Sequence, residues 1–113
     1  RENGIKANIL LGRRCGTSCA TLLIDLAEAA LRGRGYTVVR NKPYAGGFIT
    51  EHYGEPALGR HALQIEINRA LYMDEANFEK TAGFQRIKAD LDQMLRALIA
   101  GTATLSVPRA AAE

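Results

Sequence analysis

A carboxylate in the middle of an apolar strand is the feature of this sequence best suited to chemistry. Leu63, Ile65 and Ile67 alternate with polar residues, so a two-residue period places the apolar side chains on one face of a strand and Glu66 on the other. Glu is depleted in strands because it packs poorly on a half-buried pleated surface. Either Glu66 lies on a solvated outer face, as is common in antiparallel sheets, or it projects into a cleft as a general base or a neighbour of a metal.

Thiol and imidazole side chains are the next candidates for a reactive or metal-binding site. Cys15 and Cys19 are close in sequence, but eight residues separate His52 from His61. Structural zinc sites usually hold histidines three to five residues apart, so this spacing argues against a closed zinc site. A disulfide is unfavoured in a cytoplasmic protein. We interpret Cys19 as a small buried residue and Cys15 as the better candidate for a reactive thiol, although nothing in the sequence brings a histidine beside it.

The first half of the chain predicts the βαβ unit that would position such groups. An apolar run at 7–11 predicts a buried strand, residues 12–18 a glycine-containing loop, and Thr17 or Ser18 the N-cap of a helix whose apolar residues continue to Ala30. A β-branched strand follows at 36–40. Because ligands bind at the carboxyl ends of parallel strands, the loops 12–18 and 41–47 are the expected site.

Several side chains in and after these loops can bind a polar substrate. Asn41 and Tyr44 offer hydrogen-bond donors, and the backbone N–H groups of Gly46 and Gly47 can converge on an anion, although glycine pairs more often mark an ordinary turn. Arg69 offers a planar fork to a carboxylate, or forms a surface ion pair with Glu66 or Asp74.

The C-terminal third predicts one long helix. After the strand at 63–68 and a loop at 70–82, apolar residues recur at three- and four-residue steps as far as a stop at Gly101: Phe84, Ile87, Leu91, Met94, Leu95 and Leu98. This stripe indicates a core-facing helix. The tail, residues 102–113, is expected to be disordered.

Composition limits the function classes. The 113 residues suffice for one domain. The net charge of the chain is +3, and the excess of basic over acidic residues lies in residues 1–50. The basic residues form pairs near loops with few aromatics between them, which argues against a nucleic-acid surface and suits a small acidic substrate. No apolar run is long enough to cross a membrane and no signal peptide opens the chain, so we expect a cytoplasmic protein.

The stretch from Asn41 to Glu75 resembles the C-terminal part of N-formylglutamate amidohydrolases. The resemblance rests on Asn41, Pro43, Tyr44, Gly46, Gly47, the run 52–54, the run Ala62-Leu63-Gln64-Ile65-Glu66-Ile67-Asn68-Arg69 and the run 72–75. The loop 11–19 is also similar to the family's Leu-Gly-x-Arg-x-Gly-Thr-Ser-Cys segment, with Arg13 and Cys15 as departures. The family hydrolyses the formamide of N-formyl-L-glutamate at the end of histidine degradation.

The resemblance implies a fold and a set of roles. It implies a three-layer α/β/α fold with a mixed sheet and helices on both faces, like the C-terminal half of a zinc-dependent carboxypeptidase. Glu66 would be the general base, and zinc would be held by ligands upstream of the matched part. In the complete enzyme, we expect Arg69 or an arginine of the pair Arg13 and Arg14 to bind a substrate carboxylate.

We therefore expect this chain, which begins with Arg1 rather than Met, to be a fragment that supplies a base and part of a substrate pocket. The alternative is a non-catalytic binding module, or one that depends on a partner, derived from the same fold. A reading frame that extends one domain upstream with a His-rich metal motif would favour the enzyme. The oligomeric state is not predicted.

Overall fold

The computed structural model describes residues 8–13, 19–40 and 52–105. Its elements, in chain order, are β1 (Ile9–Gly12), α1 (Thr21–Arg32), β2 (Val38–Arg40), β3 (Gln64–Ile67), β4 (Met73–Asp74), β5 (Glu79–Lys80) and α2 (Gly83–Thr102). Short 3₁₀ turns occupy Pro56–Leu58 and Arg69–Leu71. The fold class is α/β, as predicted.

A mixed sheet in the order β2-β1-β3 organises the described residues. β1 runs parallel to β2, which confirms the predicted βαβ unit, and antiparallel to β3, so that Leu10 lies opposite Glu66. Asn8 and Thr37 brace the start of the parallel pair, because each backbone N–H donates to the other residue's side-chain oxygen at 2.8 Å. These bonds help to set the register between β1 and β2.

The core lies between one face of this sheet and the two helices. Ile9 and Leu11 of β1 and Val38 of β2 point into it and are at most 3% exposed. Leu63, Ile65 and Ile67 pack against the same cluster, as their alternation predicts. Fully buried side chains from both helices complete it: Ile24, Leu31 and Met94. The described helices thus share one face of the sheet, and helices on both faces remain a prediction.

The start of α1 differs from the prediction. The helix begins at Thr21 with Ala20 as N-cap and no side-chain cap, so Thr17 and Ser18, which lie outside the described residues, are not its caps. Instead, Nη1 of Arg13 donates to the Cys19 carbonyl oxygen at 3.0 Å and to Oγ1 of Thr21 at 3.2 Å. Cys19 is 2% exposed, which confirms that it is a small buried residue, and burial raises the pKa of its thiol.

An arginine at the end of β2 ties the sheet to α1. Arg40 donates to Asp25 at 2.6 Å and to Glu28 at 2.5 Å, and Glu28 also accepts from Arg32 at 2.6 Å. The hydrogen bonds from Arg32 and Arg40 lower the pKa of Glu28. This cluster holds the carboxyl end of β2 against the helix, next to the expected ligand loop.

A buried polar pair links the two halves of the chain. Tyr36 precedes β2 rather than belonging to it, and its hydroxyl donates to Oδ2 of Asp90 on α2 at 2.5 Å. Asp90 is 6% exposed, and the guanidinium groups of Arg34 and Arg86 approach it at 3.5 and 3.8 Å. A buried carboxylate needs such partners because its desolvation is costly.

The predicted loop at 70–82 contains a hairpin instead. β4 and β5 pair antiparallel, and Asp74 stabilises their turn by accepting from the Ala76 N–H and the Asn77 amide. These bonds lower the pKa of Asp74, with the Asn77 side chain as the main cause. Phe78 completes the turn at φ 56°. The chain therefore folds back on itself directly after β3 and the turn at Arg69.

The predicted C-terminal helix is confirmed as α2. Gly101 lies inside it, buried against Leu26, rather than ending it, and the helix continues to Thr102, the first residue of the predicted tail. Residues 106–113 of that tail lie outside the described residues. Neither α2 nor any other described helix has the length and apolarity needed to cross a membrane.

Candidate active site

The strand residue Glu66 lines an open cleft of about 440 Å³ on the sheet face opposite the helices. Leu10 of β1 also lines it. The other lining residues come from the position before β1, from β3 and the turn after it, and from the turn of the hairpin: Asn8, Ile67, Asn68, Arg69 and Glu75. Polar groups of several kinds thus surround a strand-borne carboxylate, and a small polar molecule can reach it from solvent.

The Glu66 carboxylate is exposed yet oriented. Gln64, two residues earlier and on the same strand face, donates from Nε2 to Oε2 of Glu66 at 2.6 Å. The face that carries Glu66 is open to water and also concave, and the role of Glu66 as a base stays a prediction. A carboxylate on a regular strand is held more rigidly than one on a loop.

Arg69 is brought to the same cleft by the 3₁₀ turn that follows β3. Asn68 caps this turn by accepting from the Ala70 N–H at 3.0 Å, which fixes the direction in which the chain leaves the strand. Nε of Arg69 lies 3.6 Å from Oε2 of Glu75, not beside Glu66 or Asp74 as considered from the sequence. With 66% of its side chain exposed, Arg69 is available to an anion.

Most of the predicted substrate-binding residues cannot be placed. Arg14, Asn41, Tyr44, Gly46 and Gly47 lie outside the described residues, as does Cys15. Their neighbours in sequence are placed, because β1 ends at Gly12 and β2 ends at Arg40 on the adjacent strand. The roles of these residues stay predictions.

Sequence reasoning missed some of the groups around the cleft. Asn8 and Asn68 face each other across the β1–β3 ladder, where the Asn68 N–H donates to the Asn8 carbonyl oxygen at 2.9 Å. The only signal for Gln64 was its spacing of two residues from Glu66, which places both on one face of a strand. Glu75 reaches the cleft through the unforeseen hairpin, so no local pattern could identify it.

Histidine and cysteine do not form a metal centre within the described residues. Nδ1 of His61 accepts from the Ala20 N–H at 3.0 Å, which fixes this histidine as a structural contact at the start of α1. His52 stacks edge-to-face on Tyr53, with 4.6 Å between ring centroids. No group of three or more His, Cys, Asp or Glu side chains in the described part of the chain could hold a metal ion.

Comparison with known proteins gives one consistent result. The family model for N-formylglutamate amidohydrolase matches residues 1–73. The N-formylglutamate deformylase of Pseudomonas aeruginosa PAO1 is 40% identical over 90 residues, which are 79% of this chain and 32% of that protein. The Pseudomonas putida deformylase is 36% identical over 94 residues, covering 80% of this chain and 35% of that protein.

A solved structure agrees. The crystal structure of N-formylglutamate amidohydrolase from Ralstonia eutropha JMP134 superposes with a TM-score of 0.77 at 42% identity, covering 91% of this chain and 36% of that one. This chain thus spans about a third of the length of these relatives. It belongs to the N-formylglutamate amidohydrolase family.

Proposed function

We propose that this chain is part of an enzyme that hydrolyses the formamide C–N bond of N-formyl-L-glutamate, giving glutamate and formate. The observation that carries the proposal is the family match over residues 1–73, which includes the cleft carboxylate Glu66 and the neighbouring Arg69. Membership of a family of amidohydrolases favours this function over the non-catalytic module.

In this proposal Glu66 is the general base. It takes a proton from the attacking water as the water oxygen bonds to the formyl carbon, and returns that proton to the nitrogen as the C–N bond breaks. The leaving group is thus a neutral amine rather than an amide anion. The Gln64 amide, 2.6 Å from one carboxylate oxygen, holds the side chain while leaving the other oxygen for the water.

Arg69 supplies binding rather than chemistry. N-formylglutamate carries two carboxylates, and a guanidinium binds a carboxylate through two parallel hydrogen bonds. Because Glu75 lies 3.6 Å away in the free protein, the substrate carboxylate competes with an exposed ion pair that is itself weak. Arg14, Asn41, Tyr44 and the Gly46–Gly47 backbone are proposed to complete the pocket.

Zinc is the proposed metal, and other parts of the enzyme would hold it. The described residues of this chain do not fit a zinc site, because no three potential ligands converge among them. We also propose the finer features that the resemblance implies: a three-layer, carboxypeptidase-like architecture, a cytoplasmic location and a place in histidine degradation.

A hybrid enzyme tests the function. This chain would replace the matched segment of the Pseudomonas aeruginosa deformylase, and the hybrid would be assayed for formate release from N-formyl-L-glutamate. In the active hybrid, Glu66→Gln keeps the shape of the side chain but removes the base. We expect kcat to fall by roughly 10²- to 10⁴-fold, the usual contribution of general acid–base catalysis.

The matched control is Glu79→Gln, which removes the same charge from the exposed strand β5. It should leave kcat unchanged, and both variants should retain the circular dichroism spectrum and metal content of the hybrid. A Glu66→Gln hybrid with normal kcat would exclude Glu66 as the base. A folded hybrid without deformylase activity would favour the non-catalytic module.

A further inference from the structure

A small cavity lies at the amino ends of the two parallel strands. Asn8, which precedes β1, and Tyr36, which precedes β2, both line it, and its volume is about 240 Å³. The predicted ligand loops begin at Gly12 and after Arg40, at the opposite ends of the same strands. Of the described residues that line the cavity, only Asn8 also lines the Glu66 cleft. The cavity is therefore a feature apart from the candidate active site.

Two arginines at this cavity share one buried carboxylate. Nη1 of Arg34 is 3.5 Å from Oδ1 of Asp90, and Nε of Arg86 is 3.8 Å from Oδ2. A hydrogen bond between a guanidinium and a carboxylate is normally about 2.7–2.9 Å long. Oδ2 already accepts from the Tyr36 hydroxyl at 2.5 Å. Asp90 therefore attracts both arginines without engaging their N–H groups in short hydrogen bonds.

Arg96 shows what a similar pairing gives on the same helix when the carboxylate is exposed. The side chains of Arg86 and Arg96 are each 71% exposed, and each has an aspartate four residues away on α2. Nε of Arg96 donates to Asp92 at 2.9 Å. Arg86 instead makes a long hydrogen bond, 3.4 Å from its Nη2 to the Arg34 carbonyl oxygen. This contact keeps Arg86 beside Arg34 and leaves its guanidinium group able to bind a further acceptor.

The charges of this cluster do not balance. Two guanidinium groups surround one carboxylate, Asp90. Burial, then the hydrogen bond to Asp90, raises the pKa of Tyr36 to about 12, so the tyrosine is neutral at pH 7. These four groups thus carry one net positive charge. An anion between the arginines would offset their mutual repulsion.

The arginines and the size of the cavity define the class of ligand. Guanidinium groups bind carboxylates and phosphates through paired N–H groups. Gly35 and Gly83 also line the cavity and add no side chain to it. Its volume of about 240 Å³ is below the roughly 300–1,000 Å³ of pockets that hold drug-sized molecules. The cavity therefore suits a small ligand.

We propose that Arg34 and Arg86 bind a small oxyanion, a carboxylate or a phosphate group, in the cavity at the amino ends of β1 and β2. The proposal does not rest on the proposed function, because neither arginine lines the Glu66 cleft.

Titration with inorganic phosphate and, separately, with acetate tests the site. The amide signals of Gly35 and Gly83 would be followed by NMR in the 113-residue chain, at constant ionic strength so that salt screening does not change. We expect both signals to shift saturably and the signal of Gly59, which does not line the cavity, to stay in place. Tighter binding of phosphate would identify a phosphate ligand, and tighter binding of acetate a carboxylate. If neither anion shifts the two signals, the proposal is wrong.

Arginine variants test which groups hold the anion. Arg34→Gln and Arg86→Gln should each weaken binding of the preferred anion by about tenfold or more, because each removes a charge-assisted hydrogen bond. Arg96→Gln is the matched control, since it removes the same charge from an equally exposed position on α2, and it should leave the affinity unchanged. Equal losses in Arg86→Gln and Arg96→Gln would show attraction by net charge alone and would contradict the site.

The hybrid with the Pseudomonas aeruginosa deformylase gives the same measurement if the isolated chain or a variant of it is unfolded by circular dichroism. The two glycine signals and the three variants are compared there in the same way. An anion that binds the hybrid without shifting the Gly35 and Gly83 signals would overturn the proposal. A hybrid that binds the anion in this cavity but releases no formate would contradict the proposed function alone.

Discussion

At the scale of single residues, the hydroxyl of Tyr36 makes a buried side-chain hydrogen bond. It donates to Asp90 at 2.5 Å, and both residues are at most 9% exposed. Tyr36→Phe leaves the Asp90 carboxylate short of a donor, so we expect the free energy of unfolding to fall by about 1–3 kcal/mol at pH 7. Urea denaturation measures this loss. Tyr53→Phe, at a position that is 59% exposed, should change stability by less than about 0.5 kcal/mol.

The same pair predicts a pH dependence. Burial, then the hydrogen bond to Asp90, raises the pKa of Tyr36 from 10.0 to about 12. Because the folded state holds the proton more tightly than the unfolded chain, this stabilisation is complete below pH 10 and is lost as the pH rises toward 12. The difference in unfolding free energy between wild type and Tyr36→Phe should therefore shrink across that interval. A constant difference would show that the tyrosine proton is not involved.

Arg69 carries a prediction about substrate affinity. If Arg69 binds a substrate carboxylate in both the ground and the transition state, Arg69→Met in the hybrid enzyme should raise KM by about 10- to 100-fold and leave kcat nearly unchanged. Arg60 is a suitable control, because it is 65% exposed and pairs with the loop residue Glu55 at 3.1 Å. An Arg69→Met enzyme whose KM matches that of Arg60→Met would remove Arg69 from the substrate site.

The sequence predicted the environment of a residue correctly where neighbouring positions in the chain determine it. The period of two in β3 correctly separated the packed Ile65 and Ile67 from the exposed Glu66, since the pleat alone determines this. The partner of Arg69 could not be predicted, because Glu75 reaches it only through the turn of a hairpin. Tertiary folding, not local pattern, decided that contact.

At the scale of elements, a glycine allows α2 to start against the turn that carries Arg69. A Cβ on Gly83 would lie 2.1 Å from the Leu71 carbonyl oxygen, which is backbone and cannot rotate away. Gly83→Ala should therefore destabilise the domain by about 1–3 kcal/mol in urea denaturation, although alanine is the better helix former.

Gly101→Ala provides the contrast for Gly83→Ala. There the new Cβ would meet Cδ1 of Leu26 at 2.3 Å, the end of a flexible side chain that can turn aside. Its loss should be smaller, because the Leu26 side chain can yield where the Leu71 backbone cannot. Equal losses at the two glycines would show that the contact with Leu71 is not rigid.

The periodicity of apolar residues predicted the longer helices and strands correctly. The predicted parallel pair, α1 and α2 are all present, because alternating and helical apolar patterns dominate those segments. The two-residue strands β4 and β5 were missed, since a hairpin this short has no period and depends on the Asp74 turn. The start of α1 was missed because the helix has no side-chain cap, and the N–H of its N-cap residue Ala20 donates instead to Nδ1 of His61, a residue distant in the sequence.

At the scale of the whole molecule, the described helices cover one face of the sheet and leave the other face open. The cleft with Glu66 occupies the uncovered face, at the outer strand β3 of the described sheet. The fold class could be predicted from the sequence. The uncovered sheet face could not, because local apolar periodicity does not determine which face the helices cover.

The last prediction concerns the chain on its own. The described residues bring together Glu66, the proposed base, and Arg69, the proposed ligand of a substrate carboxylate, but no set of metal ligands, and one face of the cleft is open to water. Hydrolysis of an amide with an unactivated water and a single carboxylate lacks the electrophile that stabilises charge on the carbonyl oxygen. We therefore expect the isolated 113-residue chain to release no formate from N-formyl-L-glutamate and to bind no stoichiometric zinc in equilibrium dialysis. The hybrid should release formate and bind zinc. Tight zinc binding with deformylase turnover by the isolated chain would contradict this division of labour and would place the metal ligands within the chain itself.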